Sequence, residues 1–446
     1  VSVPEQFETP GFSEQAPSDA PDLAWWKYFE DKQLEELMQK AFSDNYSLKV
    51  GWNRLLQSQA LASVATSGRY PALDASGGVQ RIRADNLETT SQQLAPQGGV
   101  FYETSYFQRN GLSFELDIWR RAASASQAEI LRADASRADY ENTALVLSGS
   151  LAESWFTYLE QVALKELIAE QIETSKTLLE LTQLRYSIGR GTALSVFQQR
   201  QQTSSIESEL PRVEAQLRRS KNAIAFLVGE MPAGVELESS QSLPELPEFP
   251  KKIAPIELLR RRPDLRASRR RLEGSEYDLA SAFAERFPRL SVSLDYSFTA
   301  SEANSLFERQ LGSLTGGVLL PLIDGGRRRA VVRQKDARVE ELMAQYSSDI
   351  ISVFIEVENA LLTEKYQAEF LSKLNKQLED ARATLRESRS RYINGLTEYL
   401  DVTIALQTVQ SLERRIISEK RALLVARVRL YLALGGNLKP NKEKSS

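Results

Sequence analysis

The chain has 446 residues, with 56 Lys and Arg against 60 Asp and Glu, a net charge of −4, and neither Cys nor His. That composition excludes disulfides, zinc fingers, cysteine nucleophiles, imidazole metal ligands and Ser-His-Asp triads, and the near-balance of charge argues against a protein built to grip nucleic acid. No bound cofactor is implied, and no apolar run approaches the ~18–20 residues of a membrane-spanning helix, although strands of ~9–11 alternating residues would still span as a barrel.

The chain starts at Val1 without a basic-then-apolar leader, so a processed or trimmed N-terminus is expected. The first patterned stretch is aromatic, Trp25-Trp26-Lys27-Tyr28-Phe29-Glu30-Asp31. Two strands are predicted next. Leu73–Arg83 is weakened by Gly77-Gly78, and Tyr102–Leu116 alternates through Leu112, Phe114 and Leu116. From Arg121 to Ile188 there is no Pro and one Gly, which predicts an unbroken helix about 100 Å long at ~1.5 Å per residue. Gly189 ends it as a left-handed residue, and Thr192 is placed to cap the returning helix. Pro232, Pro244, Pro247, Pro250 and Pro255 then crowd Met231–Pro255, which must be extended or irregular.

The second half repeats the plan. In Arg261-Arg262-Pro263-Asp264-Leu265, Pro263 and Asp264 suit the first turn of a helix. Over Ser291–Thr299, Val292, Leu294, Tyr296 and Phe298 alternate with Ser291, Ser293, Asp295, Ser297 and Thr299, a strand with one apolar and one polar face. Its partner is predicted at Leu314–Leu322. Arg327–Arg329 open the following helix at the end where the dipole disfavours cations, and the sequence offers no reason for them. Arg328–Asn394 has neither Pro nor Gly; Gly395 ends it and Thr397 is the expected cap of the return helix. Leu371, Leu374, Leu378, Ala381, Leu385, Ser388 and Tyr392 form a seam facing Val402, Ala405, Val409, Leu412, Ile416, Leu423, Ala426, Leu430 and Ala433, with Glu419 interrupting it. Such a pattern packs as a coiled coil. The Lys-rich end, Asn437–Ser446, is expected to be loose.

The two halves are copies. Arg185-Tyr186, Gly189, Leu194 and Val196 recur as Arg391-Tyr392, Gly395, Leu400 and Val402, all displaced by 206 (391 − 185 = 206). Upstream, Tyr70-Pro71 and Phe287-Pro288 match with an offset of 217 (287 − 70 = 217). The predicted organisation is an N-terminal arm (1–40), a first repeat (41–230), a Pro-rich linker (231–256), a second repeat (257–436) and a polar tail (437–446). Four strands cannot close a barrel, whose common minimum is about eight. Pooling between copies would remove the open edges, two chains giving eight strands and three giving twelve. A small sheet packed on helices in a soluble α+β protein, or a soluble coiled-coil scaffold, fits the same pattern.

Trp25–Asp31 with Leu34 and Leu37, Arg261–Leu265, Phe287-Pro288-Arg289-Leu290, Pro321-Leu322-Ile323-Asp324-Gly325-Gly326-Arg327-Arg328 and the terminal Ala433-Leu434-Gly435-Gly436 resemble, in this order, TolC-like outer-membrane efflux factors of the OprM type. The resemblance runs from about Trp25 to Gly436. It implies a mainly α protein with a small membrane β part: a homotrimer with a twelve-stranded barrel in the outer membrane of a Gram-negative bacterium, continuous with a long α-helical tunnel in the periplasm. It also implies a periplasmic adaptor and an inner-membrane RND-type pump as partners, small toxic solutes such as drugs as cargo, and no enzymatic activity. OprM-type members usually carry an acylated N-terminal Cys; this chain has none, which leaves acylation open.

By the same resemblance the second hairpin tip constricts the tunnel, and Asp401 occupies the position of an acidic ring residue. Three such carboxylates around an axis would attract cations. A first-turn acid favoured by the helix dipole is the simpler role for Asp401. Ser195 is its first-copy counterpart (401 − 206 = 195), while Ile404 and Thr397 stand where relatives carry an acidic residue and an Arg. That shifts the expected constriction toward Leu400 and Ile404, with Tyr392 either bonding across hairpins or packing in the seam. The turns carrying Arg185, Tyr186, Gly189 and Gly191, and Arg391 and Gly395, are the implied adaptor-docking surface, with both arginines near enough to carboxylates to pair or simply solvated.

Overall fold

The computed structural model describes residues 24–85, 100–237, 242–247 and 255–436. The first 23 residues of the arm, much of the Pro-rich linker and the 437–446 tail lie outside them. After a short 3-10 turn at Trp25–Phe29 come α1 (Lys32–Asp44), α2 (Tyr46–Ser67), β1 (Ala72–Asp85), β2 (Val100–Leu116), α3 (Arg121–Ser187) and α4 (Ala193–Val228). The second copy gives α5 (Pro255–Arg261), α6 (Pro263–Ala284), β3 (Arg289–Ala300), β4 (Gln310–Leu319), α7 (Arg327–Ile393) and α8 (Tyr399–Ala433). Both offsets read from the sequence reappear in the backbone. The 67-residue α3 and α7 begin 206 apart (327 − 121 = 206), and the 22-residue α2 and α6 begin 217 apart (263 − 46 = 217).

By contacts the chain forms two compact units, and each repeat contributes to both. One comprises Val1–Leu55, Ser136–Ser268 and Tyr346–Ser446. Its core explains the aromatic opening motif. Trp25, Phe29, Leu34 and Met38 are buried with Leu151, Trp155, Phe156 and Leu159 of α3 and Val428 and Tyr431 of α8. Asp31 caps α1 by accepting from Leu34 N at 3.0 Å and accepts from Trp155 Nε1 at 2.6 Å, so one carboxylate both starts the helix and anchors it. A second cluster joins Leu258, Leu265, Val353, Val357 and Leu430. The predicted seam is the third: Leu374, Leu378 and Leu385 meet Val402, Ala405, Val409, Leu412 and Ile416. Glu419 breaks it because its carboxylate accepts from Gln367 Nε2 of α7 at 2.7 Å.

The copies are docked by one device with different donors. Asn45 Nδ2 donates to Leu227 O at 2.8 Å, and Arg262 Nη1 donates to Ala433 O at 3.0 Å, residues that correspond under the two offsets. Arg262 also holds Asp264 at 2.7 Å and Glu356 at 2.7 Å, which accounts for the Arg-Pro-Asp motif as a helix start rather than a basic surface. Arg269 and Arg270 likewise pair with Glu273 at 2.8 and 2.7 Å. Arg427, 3% exposed, meets Glu364 through two hydrogen bonds of 2.8 and 2.6 Å and donates to Pro247 O, pinning the linker to α8.

The other unit, Leu56–Ala135 and Arg269–Gln345, contains the sheet. Its strands run β1-β2-β3-β4, each antiparallel to the next, leaving β1 and β4 as edges among the described residues. The strand predicted at Leu314–Leu322 lies instead at Gln310–Leu319. Pro321 has no N–H for the ladder, so pairing stops before it and extends toward Gln310. Register puts Leu73, Leu112, Leu294 and Leu314 in one cross-strand row, and Asp74, Gly111, Asp295 and Ser313 in the next, on the opposite face. Neither face is covered by a layer of described residues. Among the described strand residues only Ala300 is buried, and Leu73 and Leu314 of the apolar face are 70% and 75% exposed. A soluble α+β sheet would bury that face, so the small-sheet alternative does not hold. No helix among the described residues is long and apolar enough to cross a membrane.

Candidate functional site

Each long helix ends in the same way. Gly189 and Gly395 take φ of +73° and +69°, conformations that cost any other L-residue energy. Arg190 N then reaches back to Arg185 O at 2.8 Å, and Leu396 N to Arg391 O at 2.9 Å. Gly191 is needed for space: a Cβ there would lie 3.1 Å from Tyr186 N. Thr192 caps α4 as expected, accepting from Ser195 N at 3.2 Å, and its hydroxyl lies 2.9 Å from that of Ser195.

The second turn departs from expectation. Thr397 does not cap α8; Glu398 occupies the cap position and makes no side-chain bond there. The 206 offset explains this, because Thr192 corresponds to Glu398 and Gly191 to Thr397. The hydroxyl of Thr397 is buried without a hydrogen-bond partner among the described residues.

Between α7 and α8, just above this turn, lies a groove of about 690 Å³. Arg391, Thr397, Asp401 and Ile404, four of the residues singled out from the sequence, line it together with Glu387, Ser388 and Thr408. Arg391 is committed to Glu387, with Nε to Oε1 at 2.9 Å. Asp401 has no ion-pair partner among the described residues. Ile404 is 53% and Leu400 43% exposed, so an apolar rim stands beside the carboxylate. Tyr392 belongs to the seam: it packs on Tyr399, with ring centroids 5.3 Å apart. Arg185 has no carboxylate partner among the described residues; its guanidinium lies over the Tyr392 ring at 4.9 Å. Tyr186 remains exposed, and Ser195, engaged by Thr192, is not a groove residue.

The sequence reading missed a polar layer beneath the groove. Tyr399 donates to Gln199 Oε1 at 2.7 Å, and Gln199, 0% exposed, donates to Ser175 O and Oγ at 3.0 and 2.9 Å. One turn on, Gln202 donates to Gln410 Oε1 at 3.1 Å and accepts from Gln407. Further along, Gln171 donates to Glu413 at 3.2 Å and accepts from Arg414 at 2.6 Å, while Arg382 of α7 reaches Glu413 at 2.8 Å. The first hairpin therefore meets α8 largely through amides and hydroxyls, whereas α7 meets α8 through Leu and Val. The signal was present: Val196, Gln199, Thr203, Ile206, Leu210 and Val213 keep seam spacing on α4, with two polar residues in apolar positions. Burial pushes the Tyr399 phenol above its ordinary value, so it stays a neutral donor.

The family model for the outer membrane efflux protein matches residues 37–230 and 254–436. The pyoverdine export outer membrane protein OpmQ of Pseudomonas aeruginosa is 30% identical over 435 residues, 96% of this chain and 90% of that protein. OpmQ of Pseudomonas putida is 29% identical over 426 residues, 93% of this chain and 88% of that protein. The solved outer-membrane channel OprN superposes with a TM-score of 0.90 at 25% identity, covering 98% of each chain.

Proposed function

Because the chain belongs to the outer membrane efflux protein family, we propose that it works as a homotrimeric exit duct, each copy supplying four of twelve barrel strands and two helical hairpins to a periplasmic tunnel. The observation that carries this is the sheet: among the described residues it has four strands, an uncovered apolar face, a polar opposite face and two open edges. With strands alternating in direction, β4 of one copy meets β1 of the next antiparallel, so closure requires no change in the ladder. Twelve strands enclose a water-filled channel, with the face of Asp74, Arg109, Ser293 and Asp295 inward.

The duct is passive and energy comes from an inner-membrane RND-type pump. A periplasmic adaptor docks on the turns formed by Arg185, Tyr186, Gly189 and Gly191, and by Arg391 and Gly395. The cargo is small organic solutes, drugs or other toxic compounds, a class consistent with the pyoverdine for which two relatives are named. Three Asp401 side chains form the polar element of the constriction, with Leu400, Ile404 and Thr397 beside them. The lack of a partner cation for Asp401 among the described residues supports this role. Tyr392 and Ser195 support the tips rather than line the constriction.

The expected material is a detergent-extracted trimer that separates on heating. Asp401→Ala should raise single-channel conductance or change block by cations in planar bilayers. Unchanged traces remove Asp401 from the constriction, and a monomer indifferent to detergent removes the duct.

A further inference from the structure

The register brings all four junctions between helix and strand to one end of the sheet, since Ala72 pairs with Ser113, Leu116 with Leu290 and Arg289 with Leu319. Arginines gather there. Arg121 is paired with Glu115 at 2.8 Å and Arg328 with Asp324 at 3.0 Å. Arg69, Arg120, Arg286, Arg327 and Arg329 are exposed and have no carboxylate partner among the described residues. Two of them sit at the first turn of α7, where the helix dipole opposes positive charge; Asp324 supplies one carboxylate there, accepting from Arg328 N and pairing the Arg328 guanidinium, which leaves Arg327 and Arg329 without an anion among the described residues.

Beside this charge lies apolar surface. Leu320, Leu322 and Ile323, between β4 and α7, are 48%, 84% and 95% exposed. Trp119 stacks on Phe287 at 4.8 Å and donates to Pro288 O at 2.9 Å, which fixes an aromatic pair at the same level. Strands, then an aromatic pair, then cations is the order found where a barrel leaves the hydrocarbon and enters the headgroups.

We propose that this belt is a binding surface for phospholipid headgroups, the arginines Arg69, Arg120, Arg286, Arg327 and Arg329 taking lipid phosphate while Leu322 and Ile323 enter the acyl boundary. Arginine suits the task because its planar donors match phosphate oxygens and it stays charged. The inference rests on the reading that the apolar strand face meets lipid. It supplies the reason for Arg327–Arg329 that the sequence left open, and it fixes the depth at which the duct sits.

The test uses the full chain in bilayers of phosphatidylcholine with and without phosphatidylglycerol. Because the chain has no Cys, Ile323→Cys carries a single spin label, with Leu396→Cys on the second hairpin turn as the aqueous reference. The label at 323 should collide more with oxygen than with a water-soluble nickel chelate, and the label at 396 the reverse. A 323 label that behaves like the 396 label overturns the inference, as does one shielded from both reagents, which would mean a neighbouring copy covers the segment. In parallel, native mass spectrometry counts retained phosphatidylglycerol. Arg327→Gln with Arg329→Gln should lower retention roughly fivefold per arginine removed, and the two Arg→Lys changes should keep most of it. Equal retention in wild type and variant, or displacement of the lipid by excess inorganic phosphate, refutes the site. If the Gln pair fails to insert, Arg286→Gln is read in the same way. Conductance in the same bilayers separates the two readings: a conducting protein without lipid preference sinks this inference alone, and a non-conducting one sinks the duct.

Discussion

Tyr399→Phe probes the junction between the two hairpins. The substitution removes one oxygen and no packing surface, yet it strips Gln199 Oε1 of its donor inside a side chain with 0% exposure. An acceptor stranded in that way costs about 1–3 kcal/mol. Replacing both partners, as Tyr399→Phe with Gln199→Met, removes the stranded acceptor; Ser175 loses the Gln199 donor but keeps the Thr203 hydroxyl at 3.0 Å, so stability should return to within about 1 kcal/mol of wild type. Thermal melts of the detergent-purified protein, followed by far-ultraviolet circular dichroism, give the two differences. The bond joins α4 to α8 just below Asp401, so the single variant should also raise the open fraction in planar bilayers. The pH dependence carries a sign. Burial raises the Tyr399 phenol above its ordinary 10.0, so its contribution is complete below that value and is lost as pH rises through the higher folded one. The difference between wild type and Tyr399→Phe should thus hold constant to neutral and mildly alkaline pH and shrink only in strong alkali. The reasoning is refuted if Tyr399→Phe melts within about 0.5 kcal/mol of wild type, as a surface change would, and conducts alike.

Other sites give sharper tests of individual contacts. Arg427→Ala should cost about 3–5 kcal/mol by leaving Glu364 buried and alone, whereas Arg427→Met with Glu364→Leu should melt near or above wild type. Gly229→Ala should destabilise by at least about 1–2 kcal/mol, because φ is +80° and the new Cβ would lie 2.7 Å from Asp44 O; an unshifted melting curve would disprove the close approach. For Asp264, burial acts to raise the carboxyl, but the hydrogen bond and charge of Arg262 outweigh it and hold the group below its ordinary value of 3.8. Its contribution is present above the unfolded value and lost as pH falls through the folded one, so the melting difference between wild type and Asp264→Asn should vanish in strong acid and persist at neutral pH.

Local rules carried far into this chain. The lack of Pro placed α3 and α7 within a residue or two, and seam spacing placed the α7–α8 contact, because a helix with no Pro and at most one Gly has few ways to end and Leu and Val at seam spacing have one favourable face. Gly189 and Gly395 announced their turns because only the left-handed conformation lets the last carbonyls find donors. Other assignments failed where identity and environment part company. Thr397 looked like a cap, but the turn sets Glu398 there. Leu320–Leu322 looked like the end of a strand, but a ladder needs an N–H that Pro321 lacks, and pairing stops at Leu319.

The deeper limit concerns polar groups. Gln199, Gln202 and Gln410 are as soluble as any surface amide when read one at a time, and nothing local says that three helices will enclose them. The two strand faces were legible as alternation, but whether water, a helix layer or lipid meets each one depends on what is left uncovered once the chain has folded. Composition, repeat offset, helix length and turn chemistry are short-range consequences of residue type and were determined by the sequence alone. The partners of the buried amides, the pairing of Arg262 with a distant carbonyl and the gathering of arginines at one end of the sheet were decided only by tertiary structure, because each joins residues that many different folds would have kept apart.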